Sequence, residues 1–540
     1  MEDNSNFSKR SAAKGIAILS IAMLLVKLMS LLYVPFLRAI LKEEGMGVYY
    51  SCYQIFQYFY IIANAGLPVA ISKIVSEYVS LGNYRDAVRT FKMARAIAFL
   101  IGIVLSAVLL IFASPLAKSM NSEQSTYALM VLSPTIFITT ILCAYKGYYQ
   151  GLGNMTPTAV SQVAEQVFNI VFSLGFAYVL IKFGNALGAA GGTVGTTLGA
   201  LVALLYFLRY YKVNSKKSKK ATSKNIKRSS NEEIFKKILF YAIPITIGMA
   251  IQQAGTLVDL KIVKERLLAA SFSKTDIEIL WGILSQYTVL INVPLALVSS
   301  ISISVVPMIS SQNATKSRGV LKDSIDTTMK VTYLITVPAA VGMAVFSSPI
   351  LQLLKLDSDI AKLLMYGSYI IVLMAIVYLQ TSILQGIGKV NAVTFFSVVG
   401  LVGKIIANYV FVAMPKLNIL GAIIGSGISF LIMLVLNQIL INRELKIRVK
   451  VITPVIRPII ASFVMAVISF AIYKGIIFTL FFIPYGYIKN AIAILIAMVI
   501  AMVVYGVSII LIGGVKKEDL QILPAKLIRM IPKRLLVNIK

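Results

Sequence analysis

The sequence predicts an all-α polytopic membrane protein of fourteen transmembrane helices: two six-helix bundles in a pseudo-two-fold repeat, plus two C-terminal helices. Three observations carry this. The 540 residues are 58% hydrophobic and only 14% charged, with mean hydropathy +0.85, whereas a soluble chain carries about 25% charged residues. Long apolar runs recur from end to end, separated by short basic segments. Three short motifs return at nearly one offset.

The first run, Gly15 to Leu41, reads GIAILSIAMLLVKLMSLLYVPFLRAIL. About twenty apolar residues span a ~30 Å hydrocarbon layer. Lys27 lies near its middle, roughly 20 Å from either end at ~1.5 Å per residue. A cation at that depth costs about 2.5–3.5 kcal/mol even on insertion scales, and such residues face a cavity or a partner. The polar N-terminus MEDNSNFSKRSAAKG precedes a run too long for a signal-peptide core and is followed by no small-residue cleavage site. An uncleaved first span with its N-terminus inside is expected. The later spans are predicted at 47–72, 91–114, 126–149, 157–181, 186–209, 234–260, 280–306, 328–353, 362–384, 392–414, 418–441, 452–476 and 486–513. None alternates strictly, which favours helices over barrel strands.

Charge sets the topology. With both ends inside, Lys and Arg favour the cytoplasmic segments by roughly three to one. The expected location is the bacterial cytoplasmic membrane. The segment Lys212–Glu233, KVNSKKSKKATSKNIKRSSNEE, is Lys/Ser-rich and apolar-poor; a basic cytoplasmic linker is expected there, able to touch anionic lipid. It separates residues 1–211, the N-terminal bundle, from 234–445, the C-terminal bundle. Residues 446–514 carry spans 13 and 14, and 515–540 form a basic cytoplasmic tail. QGLGNM at Gln150 recurs as QGIGKV at Gln385, and Gly47 recurs as Gly282, both 235 residues on; LGAAGG at Leu187 recurs as LGAIIG at Leu420, 233 on. Each half holds six spans in the same orientation, a parallel repeat related by an axis along the membrane normal.

Composition also excludes. A net charge of +31 suits phosphate binding, but the charges cluster between apolar runs, so no nucleic-acid partner is expected. There is no histidine, which removes Ser-His-Asp triads and His-ligated metals. Cys52 and Cys143 both fall within apolar runs, so neither a zinc cluster nor a disulfide framework is expected. No metal and no cofactor are expected.

The candidate substrate-binding residues are charged or strongly polar groups within or at the ends of spans: Lys27, Arg38, Glu165, Asn169, Asp259, Lys261, Lys404 and Asn408. Glu165 and Asn169 are four apart and share a helical face, as do Lys404 and Asn408. By the repeat offset Lys404 is the counterpart of Asn169. Cations lining a cavity suit an anionic substrate, Arg as a planar fork and Lys as a movable point charge. Glu165 could instead neutralise Lys404. Gln252, Gln253 and Gln286 either add hydrogen bonds or bridge helices. The glycine clusters follow no strand, so a phosphate-loop reading fails.

The string EGMGVYYSCYQIFQYFYIIANAGLPVAISKIVSEYVSLGNYRDAVRTF resembles a signature of the polysaccharide-transporter group of the MOP flippase superfamily, and YYQGLGNMTPTAVSQVAEQVFN resembles its span 4–5 signature. Within that group the chain is similar to stage V sporulation protein B and MurJ-type lipid II flippases. The resemblance implies two bundles around a V-shaped cavity, with spans 13 and 14 forming a lipid-tail groove. It implies cavity cations, with Lys27 and Arg38 as plausible positions, holding a lipid-linked pyrophosphate. The function it implies is flipping of an undecaprenyl-pyrophosphate-linked peptidoglycan precursor, lipid II, by alternating access. Membrane lipids are further partners, and contacts with cell-wall synthesis proteins remain open. Coupling would come from membrane potential or a monovalent cation. Two related readings are a flippase for another lipid-linked oligosaccharide and a multidrug/cation antiporter of the same superfamily. A membrane glycosyltransferase is disfavoured: the DSD at Asp357–Asp359 lies in a short predicted external loop, and the chain is not expected to be an enzyme.

Overall fold

The computed structural model describes residues 2–214, 228–314, 318–446, 449–480 and 486–514. Most of the linker and the basic tail, both singled out in the sequence, lie outside these residues. The described chain forms α1 (Glu2–Asn64), α2 (Gly66–Ser80), α3 (Tyr84–Ile111), α4 (Ala113–Ser119), α5 (Thr126–Gly151), α6 (Thr156–Leu180), α7 (Asn185–Asn214), α8 (Asn231–Ala269), α9 (Lys274–Ala314), α10 (Arg318–Val345), α11 (Ser347–Leu354), α12 (Asp359–Gly367), α13 (Tyr369–Gly386), α14 (Val390–Phe411), α15 (Ile419–Leu445), α16 (Thr453–Thr479) and α17 (Gly486–Leu511). Among the described residues twelve helices are long and apolar enough to cross a membrane. In chain order they overlap predicted spans three to fourteen. The first two predicted spans fall on α1, which kinks at Lys42 (φ 57°, ψ −171°), and on α2.

The chain divides into two compact units, Met1–Gly282 and Ile283–Lys540. The first therefore takes in α8 and the start of α9, beyond the linker that marked the sequence boundary.

Within the first unit, Leu67, Ile71, Ile74, Phe91, Ala94, Tyr145 and Phe207 form a buried core of α2, α3, α5 and α7. Small residues let the backbones approach. A Cβ added at Gly47 would lie 1.9 Å from the Glu278 carbonyl oxygen, and one at Gly282 would lie 3.0 Å from the Gly47 nitrogen. The two repeat counterparts thus meet each other, α1 against α9. Small residues at crossings are the general solution where lipid gives helices no hydrophobic drive to associate. In the second unit, Ile325, Met329, Tyr333, Leu379, Ile383 and Ile441 form the matching core of α10, α13 and α15. Helices α16 and α17 seat on it: Tyr473 donates to Asn490 Oδ1 (2.7 Å), Asn490 Nδ2 to the Pro349 carbonyl (3.0 Å) and Tyr505 to the Leu334 carbonyl (3.0 Å).

The repeated motifs have local causes. Gly153 and Gly388 both sit at positive φ, 74° and 82°. Each closes its helix with the same paired bonds: Gly153 N to Gln150 O and Asn154 N to Tyr149 O (both 2.9 Å), against Gly388 N to Gln385 O (3.0 Å) and Lys389 N to Leu384 O (2.8 Å). This is a Schellman end, which needs a left-handed residue that only glycine adopts without strain. The third motif pairs differently from its sequence register. A Cβ on Gly191 would meet the carbonyl of Phe176, and one on Gly421 would meet the carbonyl of Phe411. Phe176 and Phe411 are 235 apart, but Gly191 and Gly421 are 230 apart. The strings at Leu187 and Leu420 are therefore three residues out of structural register. Helix α6 continues past Phe176 into a 3-10 turn ending at Phe183, whereas α14 ends at Phe411.

Candidate functional site

The polar interior of the first unit is built on α6. Residues four or three apart on a helix share a face, and Glu165, Asn169 and Ser173 do so. Opposite them, α7 presents glycine. Added Cβ atoms at Gly195 and Gly199 would lie 2.1 Å from the Asn169 carbonyl and 2.4 Å from the Glu165 carbonyl. Asn169 Oδ1 accepts from Ser173 Oγ (3.0 Å) and Thr196 Oγ1 (3.4 Å), and Thr196 shares a hydroxyl bond with Tyr53 of α1. Further along, Thr135 and Thr197 hydroxyls lie 2.6 Å apart, and Asn64 Nδ2 donates to Thr139 Oγ1 at 3.3 Å. The carboxylate of Glu165 receives Lys146 Nζ of α5 at 3.3 Å. Lys146 is thus an ion-pair partner of Glu165 within its own unit.

A second cluster lies at the end of the unit that the charge pattern predicts to face outward. Lys264 of α8 has no exposed side-chain surface, and Glu278 of α9 is 6% exposed. Lys264 Nζ donates to Glu278 Oε1 (2.6 Å) and to Ser51 Oγ of α1 (2.7 Å). Ser122 Oγ donates to Glu278 Oε1 at 2.9 Å, and Ser51 Oγ lies 3.3 Å from Oε2. Buried charges persist only when paired and hydrogen-bonded, and here both conditions hold. The network joins α1, the turn before α5, α8 and α9.

The other sequence candidates lie in both units. Lys27 is exposed on α1, fifteen residues before the kink at Lys42. Arg38 is ion-paired with Glu43. Asp259 is half-buried on α8, while exposed Lys261 lies 3.8 Å from Glu265. In the second unit Lys404 is half-buried and Asn408 buried on α14. An added Cβ at Gly425 of α15 would lie 2.0 Å from Asn408 Oδ1 and 3.4 Å from the Lys404 carbonyl. Lys404 and Asn408 therefore occupy on α14 the places that Asn169 and Ser173 occupy on α6, each facing a glycine of the next helix. Gln286 is buried; Gln253 Nε2 donates to Thr256 (2.8 Å). Among the described residues no group of three or more His, Cys, Asp and Glu is placed to hold a metal.

Sequence reasoning missed Lys146, Lys264, Glu278, Ser51 and Ser122. The predicted spans end at 260 and resume at 280, which leaves Lys264 and Glu278 in an outer loop. The signal was present: Leu260, Val263 and Leu267, all buried, continue the helical period through Lys264.

Residues 12–313 match the family described as polysaccharide biosynthesis protein, and residues 284–410 match the family described as MatE. The chain is 24% identical over 452 residues to "Lipid II flippase MurJ" of Bacillus subtilis (strain 168), covering 80% of this chain and 82% of that protein. It is 24% identical over 446 residues to "Stage V sporulation protein B" of the same organism, covering 82% and 86%. Among solved structures it superposes with an inward-facing multidrug resistance MATE family transporter of the MOP superfamily at TM-score 0.65 and 18% identity, covering 80% of this chain and 99% of that one. With lipid II flippase MurJ in an inward closed conformation the TM-score is 0.63 at 15% identity, covering 91% and 99%. With a family match across residues 12–313, more than half its length, the chain belongs to the polysaccharide biosynthesis protein family.

Proposed function

We propose that the protein is a flippase that moves a lipid-linked, anionic oligosaccharide across the membrane, with the undecaprenyl-pyrophosphate-linked peptidoglycan precursor lipid II as its substrate. The observation that carries this reading is Lys27. It stands exposed within the stretch 15–37, which holds no other charged residue, ~22 Å from the kink at Lys42 at ~1.5 Å per residue. A cation is kept at such depth for an anion or a polar cavity. Lys404, half-buried on α14, supplies the same chemistry in the second unit. Two relatives carrying the flippase and sporulation names align over about four-fifths of the chain, which supports the substrate class.

In this reading the head group binds at the cations while the tail stays in hydrocarbon, and the two units alternate access. An inside-negative potential favours outward movement of the diphosphate by about 2.3 kcal/mol per charge per 100 mV. The test is reconstitution in vesicles with a fluorescent lipid II and an impermeant quencher. Wild-type protein is expected to expose substrate to both leaflets. Lys27→Ala is expected to slow this by about tenfold or more, since a charge-assisted hydrogen bond contributes about 1.5–3 kcal/mol. Unchanged flipping in Lys27→Ala would overturn Lys27 as the anchor. Flipping of another lipid-linked oligosaccharide in preference to lipid II would reassign the substrate.

A further inference from the structure

Where α1, α5 and α6 come together, the first unit holds a polar cluster whose charges cancel. Lys146 Nζ lies 3.3 Å from Glu165 Oε2, and the two side chains are 15% and 28% exposed, so both stay open to a ligand. Lys146 stands ~8 Å before the end of α5 and Glu165 ~14 Å after the start of α6, at ~1.5 Å per residue. Both lie toward the end of the unit that the charge pattern predicts to face the cytoplasm. The charge of Glu165 also reaches the Tyr60 phenol of α1 and the Cys143 thiol of α5.

Acceptors without donors accompany the pair. Asn64, 5% exposed at the end of α1, gives Nδ2 to the Tyr60 carbonyl (2.9 Å) and to Thr139 Oγ1 (3.3 Å). Its Oδ1 is buried with no hydrogen-bond partner among the described residues. Gln162 stands one turn before Glu165 on the same face of α6, and its buried Oε1 likewise has no such partner. A buried polar atom left unpaired is costly and calls for an occupant or a role.

Chemistry narrows the occupant. A diphosphate would meet a carboxylate and two amide oxygens, all repelling it. A metal cation would meet the Lys146 ammonium, 3.3 Å from the carboxylate it needs. An apolar chain would leave every acceptor unpaired. A neutral molecule rich in hydroxyls fits: its O–H groups donate to Glu165, Asn64 Oδ1 and Gln162 Oε1, and one of its oxygens accepts from Lys146. Resting on the flippase reading, we propose that Asn64, Lys146, Gln162 and Glu165 bind the sugar of the lipid-linked substrate, as a subsite separate from the cations that hold its diphosphate. It gives the protein a preference for the glycosylated lipid over the bare carrier.

Native mass spectrometry of the full-length protein tests this with two probes: undecaprenyl diphosphate, and undecaprenyl diphosphate bearing a neutral disaccharide. Wild-type protein is expected to bind the glycosylated probe about tenfold more tightly, the yield of about two net hydrogen bonds. Gln162→Leu removes an oxygen that bonds nothing among the described residues, so the fold is expected to survive while the preference falls to about threefold. Glu165→Gln is expected to abolish the preference and to leave affinity for the bare carrier within about twofold. Lys146→Gln with Glu165→Gln replaces the ion pair by two neutral amides. This double variant is expected to elute as folded protein on size-exclusion chromatography and still to lack the preference. Recovery of the preference in the double variant would make the pair a structural one and overturn the subsite. So would an unchanged preference in both single variants, equal weakening of both probes, or equal binding of both by wild-type protein; the flippase reading survives each of these. Wild-type protein that binds neither probe overturns the flippase reading, and the subsite with it.

Discussion

Replacing Lys264 by methionine would strand a carboxylate. Lys264 Nζ lies 2.6 Å from Glu278 Oε1, and the pair has side-chain exposures of 0% and 6%. Breaking a buried pair by removing one partner costs about 3–5 kcal/mol, because the remaining charge stays desolvated. Ser122 and Ser51 still reach the carboxylate, at 2.9 Å and 3.3 Å, and hydrogen bonds to a charge contribute about 1.5–3 kcal/mol each. The lower end, about 3 kcal/mol, is therefore expected. Replacing both partners, as in Lys264→Met with Glu278→Leu, removes both desolvation costs and is expected to recover most of that loss. The coupling between the two sites would be about 2 kcal/mol or more. The chain has one tryptophan, and it is Trp281, buried at 4% exposure within one turn of Glu278. Its fluorescence reports unpacking at this cluster during denaturation in micelles. Lys264→Met is expected to lower the midpoint clearly and the double variant to restore it. A single variant as stable as wild type, or a double variant no better than the single, would refute the reasoning.

Other outcomes follow from the same structure. Gly47→Ala would place a Cβ 1.9 Å from the Glu278 carbonyl oxygen; overpacking costs about 1–3 kcal/mol or more, and a sharp loss of folded protein on size-exclusion chromatography is expected. Gly153→Ala and Gly388→Ala meet no neighbouring atom within 4 Å but force alanine to φ 74° and 82°, so each should cost only about 1 kcal/mol in thermal unfolding. Asp86 is buried and accepts from Asn83 Nδ2 (2.9 Å), Arg89 Nη1 (2.8 Å) and the Ser229 amide (3.0 Å). Asp86→Ala is expected to destabilise by about 3 kcal/mol and to speed hydrogen exchange at 229–235, where α8 begins. Unchanged exchange there would mean that this contact does not hold α8.

Most of the helical plan was legible because hydropathy alone fixes it. In lipid every backbone group must bond within its own segment, so a long apolar run leaves little choice of structure. The repeat was legible through QGLG and QGIG because a left-handed helix end demands glycine in both copies. The register of the last motif was not: Leu187 and Leu420 share a string, yet Gly191 and Gly421 share the structural place. Interfacial glycines recur along a helix, and composition does not say which one meets the neighbouring carbonyl. Of the polar interior of the first unit, Glu165 and Asn169 were legible because they interrupt an apolar run. Lys264 and Glu278 were hidden because a buried ion pair reads, in sequence, like the two ends of a polar loop. Lys146 was hidden because it sits near the end of its span, where lysines commonly reach out to water.

The measurement that bears most directly on the central claim is lipid flipping by the purified, reconstituted protein. Vesicles carrying fluorescent lipid II on one leaflet are sealed, the potential is set negative on the side the substrate leaves, and quenching from outside is followed in time. Wild-type protein is expected to bring the label to the opposite leaflet, faster as the potential rises, and Lys27→Ala to do so about tenfold more slowly. Label that stays on its original leaflet with folded wild-type protein present, or a rate indifferent to Lys27, contradicts that claim.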